Sequence, residues 1–424
     1  MSTAYPAPPP PPLPLRDSEV WAELQRALAG LDAAGGPAAM RWIGEHLSAA
    51  ERTFAQQLDA DPVGVARVGL SLAEALSVLG AEDALRRVVL GLDRYRSRLP
   101  PPLADEVLLL VARDGVRRRE GYEWAHEAAA VLERAERRRD PRLVGLALRV
   151  LAQAAWQDGK GEAAVSHARR AAELPEGAAA AQLLGNYLWG LGRQAEAEAV
   201  YVHTLQLPAT RANPMRAATL AANLASLLSE QGRHDEAIKG FRFALRVQAE
   251  AGAKRHELIL RANFGMALID AGELDEAAEQ LQLAWALAHH TLSGRPSAAP
   301  REGLVCLHLL RGEAEAALAI LQQGQLLDDA DPWYDGQLAI WEAFARAALG
   351  RLADAEALAR AGAQRARAVN DLEAGPLLAD LALLYIAQLR GQPVDHSRLD
   401  RARAAAGRWQ CLRVGLRLLG PAGA

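Results

Sequence analysis

From Ser18 onward apolar residues return every three or four positions, as at Trp21, Leu24 and Leu28, and short glycine- or proline-bearing breaks interrupt this rhythm almost to the end. That spacing lays one apolar stripe along a helix, so the chain is predicted to be a succession of helices. Valine, isoleucine and threonine nowhere gather into alternating runs, and no strand is expected. The breaks themselves repeat. Gly192-Arg193-Gln194-Ala195-Glu196-Ala197 returns as Gly232-Arg233-His234-Asp235-Glu236-Ala237, Gly272-Glu273-Leu274-Asp275-Glu276-Ala277 and Gly312-Glu313-Ala314-Glu315-Ala316-Ala317, with the glycines 40 residues apart. Outwards, Gly350 and Gly391 follow after 38 and 41 residues, while Gly159 precedes Gly192 by 33 and Gly121 precedes Gly159 by 38. A fixed period in this range marks stacked supersecondary units. Glycine supplies the left-handed residue that ends one helix, and an acid-alanine pair opens the next, so each unit reads as an antiparallel helical hairpin.

The rhythm divides the chain. Residues 1–16 carry Pro6, Pro8 to Pro12 and Pro14 and are expected to be a disordered proline-rich tail. In residues 17–140 Gly36, Gly80 and Gly121 keep the beat, but the text after each matches poorly. This stretch reads as divergent repeats or an N-terminal helical subdomain, bounded by the charged break at Glu136 to Pro141. Residues 141–397 form the clear repeat array. Residues 398–424 hold a final apolar helix over Leu399 to Leu419, with Trp409, Leu412, Val414, Leu416 and Leu418, followed by a short tail. A solenoid end must cover its core, so capping is the adopted reading, with a homodimer through this helix as the alternative.

Composition narrows the function. Half of the 424 residues are apolar but only 5% are aromatic, a mixture rich in good helix formers. A formal charge of −4, with three lysines beside 45 arginines, argues against a nucleic-acid binder. The runs Arg117-Arg118-Arg119 and Arg137-Arg138-Arg139 have acids interspersed nearby and read as solvated faces laced with ion pairs. Cys306 and Cys411 are too few for a disulfide framework, which fits a reducing cytoplasm. The N-terminus has no basic start or apolar core segment, so it does not read as a signal peptide, and no uninterrupted apolar stretch approaches the roughly 20 residues that span a bilayer. No metal, cofactor or catalytic set emerges. His126-Glu127 and His256-Glu257 lack the second histidine of a zincin helix, His289-His290 are adjacent, Cys306 with His308 has no partner pair, and no glycine-lysine-serine or glycine-lysine-threonine of a phosphate loop occurs.

The repeat slots resemble tetratricopeptide repeats in their longer form of about forty residues. Leu224-Ala225, Gly232, Ala237, Phe241 and Ala244 fill the family's positions, as do Phe264-Gly265, Gly272, Ala277, Leu281 and Ala284. Leu184-Gly185, Gly192, Ala197 and Tyr201 do the same, with Thr204 replacing alanine, and Pro175 and Pro208 stand where the family's repeat-ending proline belongs. The resemblance implies a right-handed all-α superhelical solenoid whose first helices line a concave surface that takes a peptide or a partner domain.

Counting back from the turn glycines, the inward positions hold Arg149 and Gln153, then Gln182, Asn186 and Trp189, then Asn223, Ser226 and Ser229, then Asn263 and Met266. Asparagine is a poor helix former, so a row of amides on one face points to pairing with a peptide backbone, or to hydrogen bonds with a neighbouring helix. Trp156 and Trp189 are the tryptophans placed to reach the groove. The carboxylate clamp of the family needs a lysine beside Arg149, and none is present. The expected function is a non-catalytic scaffold or sensing arm that binds a peptide or protein partner. The alternative is a transcriptional or signalling regulator, or a fragment of one, whose array receives a ligand or protein signal.

Overall fold

A computed structural model of the chain describes residues 16–31, 36–119, 123–175, 177–290, 298–325, 332–369, 371 and 373–420. The proline tract through residue 15 and the expected turn at Gly121 lie outside them. Five helices come first: α1 (Asp17–Gly30), α2 (Gly36–Glu45), α3 (Leu47–Gln57), α4 (Pro62–Leu79) and α5 (Glu82–Tyr95). Then follow α6 (Pro101–Arg118), α7 (Glu123–Arg138), α8 (Pro141–Gln157), α9 (Gly161–Ala172), α10 (Ala178–Gly190), α11 (Gln194–Gln206) and the single turn α12 (Pro208–Arg211). The array continues with α13 (Pro214–Glu230), α14 (His234–Ala251), α15 (Lys254–Ala271), α16 (Leu274–His290), α17 (Ala298–Leu310) and α18 (Ala314–Gln325). It ends with α19 (Pro332–Ala348), α20 (Leu352–Ala368), α21 (Ala374–Leu389), α22 (His396–Ala406) and α23 (Gln410–Leu418). Among the described residues there is no strand. The chain is an all-α solenoid of helical hairpins.

The turn glycines do what the repeat requires. Gly80, Gly159, Gly192, Gly232, Gly272, Gly312, Gly350 and Gly391 all have φ between 68° and 85°. At Gly232 its own N–H bonds the Ser229 carbonyl, and the Arg233 N–H reaches back to Leu228 at 2.9 Å, which satisfies carbonyls the helix end leaves open. The arginine after the glycine then grips both hairpins: Arg233 holds Glu236 at 2.8 Å on the helix it opens and pairs with Glu198 of the preceding repeat. Gly36 departs from the expected rhythm. It is buried as the first residue of α2, where a Cβ would lie 2.5 Å from the Leu31 carbonyl oxygen. Close approach, rather than a turn, is what asks for glycine there.

Small residues let the two helices of a hairpin meet. A Cβ on Gly265 would stand 2.5 Å from Leu281, and Tyr201 lies as tightly against Gly185. Ala225, Ala237, Phe241, Ala244, Phe264, Ala277, Leu281 and Ala284 are all buried, as the repeat slots require.

Two features lie beyond the local pattern. The first is closure: α2 packs on α13 and α14, and α4 packs on α15. Arg41 donates to the Glu250 carbonyl at 2.7 Å, and Arg255 reaches across to Glu82. One hydrophobic core therefore joins Leu24, Ile43 and Leu76 to Phe241, Phe264 and Leu412, while smaller cores fill α6 to α8 and α8 to α13. The second is the C-terminus. The expected single helix over Leu399 to Leu419 is two, broken at Gly407 to Trp409, where Trp409 is extended with φ −130°. The break turns α23 back so that it lies against α15, α17 and α21. Cys411, Leu412 and Val414 are buried in this packing, so its apolar face is occupied within the chain. Among the described residues one helix, Pro62–Leu79, is by length and composition apolar enough to cross a membrane. Here its Val65, Leu72 and Leu76 are buried in the large core.

Two chambers inside the superhelix

The first helices of the hairpins enclose two cavities that meet at α10. The larger, about 700 Å³, is bounded by α10, α13, α15, α17, α19 and the returning α23. The smaller, about 330 Å³, lies among α4, α5, α6, α8 and α10. Of the residues the sequence singled out, Asn186, Trp189, Asn263 and Met266 line the larger chamber, and Arg149, Gln153 and Trp156 line the smaller. Gln182, Asn223, Ser226 and Ser229 line neither.

The amide row is stitched to itself. The Asn186 side-chain oxygen accepts both the Tyr201 hydroxyl at 2.6 Å and the Asn223 amide at 2.9 Å. Ser226 donates to the Ala222 carbonyl of its own helix at 3.1 Å, and Ser229 is buried. Asn186 and Asn223 therefore fix the stacking of consecutive hairpins, which is the second of the two readings open from sequence. Asn263 alone of the three is exposed, on the wall of the larger chamber.

What marks the larger chamber is acid held by tryptophan. Trp189 donates its indole N–H to Glu230 at 2.7 Å, Trp341 to Glu302 at 2.9 Å, and Trp409 to Glu373 at 3.0 Å, and all three glutamates line the cavity. Burial lifts the Glu230 carboxyl to about 7, against the opposing hydrogen bond from Trp189 and the field of Arg413. Burial likewise raises Glu302, with the Trp341 bond opposing. Near neutral pH Glu230 therefore keeps part of the proton that a carboxyl in water would have released, and Glu302 is shifted in the same direction. The wall from α23 is pinned by polar bonds to α15: Gln410 and Arg413 both donate to Asp270 at 2.7 Å, and Arg417 donates to the Ile269 carbonyl.

Sequence reasoning passed over Glu230, Glu302, Glu373 and Trp409. One signal was available for Glu302, which stands ten residues before Gly312 as Gln182 stands ten before Gly192. The others are brought in by α23 and by helix ends, outside the counted slots.

The smaller chamber has the opposite sign. Arg113 on α6 and Arg149 on α8 face it, each half-buried. Desolvation pulls both guanidinium groups below the ordinary arginine range; Glu74 opposes this for each, and Arg113 adds its repulsion to Arg149. Trp156 stacks on Tyr187 as one wall, with ring centroids 4.8 Å apart. The expected ion-pair lacing holds around it: Asp114 collects Arg86, Arg117 and Arg118, and Asp105 collects Arg134 and Arg138.

Residues 216–289, which make up α13 to α16, match the family model described as a tetratricopeptide repeat. Over this stretch the chain carries tetratricopeptide repeats. No curated protein matches it. Among solved structures, a tetratricopeptide-like fold returns in a Rap protein complexed with competence and sporulation factor, 14% identical over 77% of this chain and 99% of that one, with a TM-score of 0.51. The apo quorum sensor NprR from B. thuringiensis is 14% identical over 82% and 99%, also at 0.51. The human IFIT1 dimer with PPP-AAAA is 13% identical over 97% and 95%, at 0.54. At these identities the likeness is one of fold.

Proposed function

We propose that this tetratricopeptide-repeat chain is a non-catalytic receptor that takes a peptide or protein segment bearing a cationic side chain or amine into the larger chamber. The observation that carries the reading is a 700 Å³ cavity whose wall holds Glu230 and Glu302, two desolvated carboxyls, beside Trp189, Met266 and the exposed Asn263. A cation entering would favour the ionised form of these acids and form charge-assisted hydrogen bonds in a site of low effective dielectric. Asn263 supplies an amide for the ligand backbone, Trp189 and Met266 apolar contact.

A second reading, a regulator whose array receives a signal, draws support from α23. Arg408, Trp409, Gln410 and Cys411 form part of the wall, so an occupant touches the C-terminal segment as well as the repeats. Two of the structural neighbours are a protein complexed with competence and sporulation factor and a quorum sensor, which supports a receptor of this kind.

The test is selection from a random peptide library on the full chain, beside Asn263→Ala, Asn223→Ala and the double variant Glu230→Gln/Glu302→Gln. Enriched peptides should carry lysine, arginine or a free amine, and should weaken with Asn263→Ala and the double variant. Asn223→Ala should act on stability, through Asn186, rather than on contact with the ligand. Enrichment without cationic residues, or indifference to the double variant, removes the proposal.

A further inference from the structure

The smaller chamber contains a pair of cations that no carboxylate holds in direct contact. Among the described residues no hydrogen bond or ion pair engages the Arg113 or Arg149 guanidinium, and the Arg149 Nε is buried without a partner. This is unusual for the surrounding helices. Arg117 is held by Asp114 and Glu82, Arg138 by Asp105, and Arg142 by Glu106. Arg113 is adjacent to Asp114 in sequence, yet that carboxylate is already taken by Arg86, Arg117 and Arg118. Glu74, exposed and lining a neighbouring pocket with both arginines, is the acid whose field reaches the two of them, which leaves the trio with one net positive charge. Holding two like charges together in a desolvated groove opposes folding, and the helices gain nothing within the chain in return.

We propose that this chamber binds a small organic oxyanion, a carboxylate or phosphate ester carried on an apolar or aromatic body, with Arg113 and Arg149 as its cation pair. Guanidinium groups present their donors in a planar fork that fits two oxygens at once, and Arg113 and Arg149 both line this chamber. Gln153 adds a neutral donor. Trp156 on Tyr187, with Leu85 and Leu110, forms the wall against which a flat or apolar body packs. The volume of about 330 Å³ suits a small molecule rather than a folded segment. The inference goes beyond the receptor reading, because it concerns different residues and stands whatever fills the larger chamber.

The experiment is calorimetric titration of the full chain with phenyl phosphate, benzoate and benzyl alcohol, which share an aromatic body and differ in head group. At least one anion should bind and the alcohol should not, the tighter of the two anions naming the head-group class. Arg113→Met and Arg149→Met should each weaken that anion by about tenfold or more, while Glu230→Gln, in the other chamber, leaves it unchanged. Because a variant could lose binding by misfolding, melting without ligand is the companion measurement, and both methionine variants should melt at or above the wild-type temperature. Absence of anion binding, equal binding of the alcohol, or anion affinity indifferent to Arg149→Met overturns the proposal.

Discussion

Glu230→Gln tests the chemistry of the larger chamber through stability alone. Burial raises this carboxyl from its ordinary 4.5 to about 7. The gap of about 2.5 pH units, at about 1.36 kcal/mol for each, bounds the destabilisation by the ionised form at roughly 3 kcal/mol. The chamber admits solvent, so roughly 1–3 kcal/mol is the expected range. The sign follows from the order of titration. Below about pH 4.5 both folded and unfolded chains hold the proton, and the burial carries no electrostatic penalty. Between 4.5 and 7 the unfolded chain releases its proton first, so stability falls as pH rises, and it levels off above the folded value. Glutamine keeps an oxygen for the Trp189 indole at 2.7 Å and the Gln194 amide at 3.2 Å while removing the titration. Urea midpoints of wild type and variant should therefore agree near pH 4.5 and separate toward pH 8, with the variant the more stable. Taking the difference between the two chains cancels the titrating groups that do not interact with Glu230. A separation that stays constant across the range, or that favours wild type at high pH, would refute the reasoning.

Two further outcomes are expected. Arg413→Met leaves Asp270, whose side chain is 4% exposed, without its cation, and should lower the unfolding free energy by about 3 kcal/mol; adding Asp270→Asn should recover part of that loss in a double-mutant cycle, and additive losses would show that α23 is not held by this pair. Gly232→Ala, at φ 77° with open space around it, should destabilise by about 1–2 kcal/mol, whereas Gly265→Ala drives a methyl to within 2.5 Å of Leu281 and should destabilise by about 3 kcal/mol; thermal melts in the reverse order would mean that the hairpin spacing is not set by Gly265.

The repeat was legible because its determinants are local. A turn glycine is read from its own backbone, and Ala237 or Leu281 from its distance to that glycine, so fold class and hairpin register follow from spacing alone. The candidate site is a different case. Counting back placed Asn186 and Asn223 near the groove, but whether an amide meets solvent depends on Tyr201, which arrives from the next helix of its own hairpin and takes one lone pair of Asn186. Closure was invisible for a further reason. Contacts such as Arg41 with Glu250 span the cumulative rotation of many hairpins, and each hairpin contributes only a small angle that no single phrase encodes. The same holds for α23, whose return into the groove turns on a break at Gly407 to Trp409 that apolar periodicity alone does not reveal.

The rigidity that made the fold legible also explains the charge arrangement. Arg113 and Arg149 stand on α6 and α8, while Glu230 and Glu302 stand on α13 and α17, and α10 lies between the two sets, giving Tyr187 to one chamber and Asn186 and Trp189 to the other. Flexible chains would let such groups find one another, but hairpins stacked at fixed spacing keep them in separate chambers. Within the chain Glu74 offsets the arginine pair, and Arg413 the Glu230 carboxyl, only in part, so each set remains a desolvated charge or a displaced titration that opposes folding. Replacing them by neutral residues of like volume should then stabilise the protein, and sequences retain destabilising groups of this kind where a function depends on them. Two chambers of opposite character, each raising the energy of the fold by itself, are what the two proposed ligands of opposite charge would relieve.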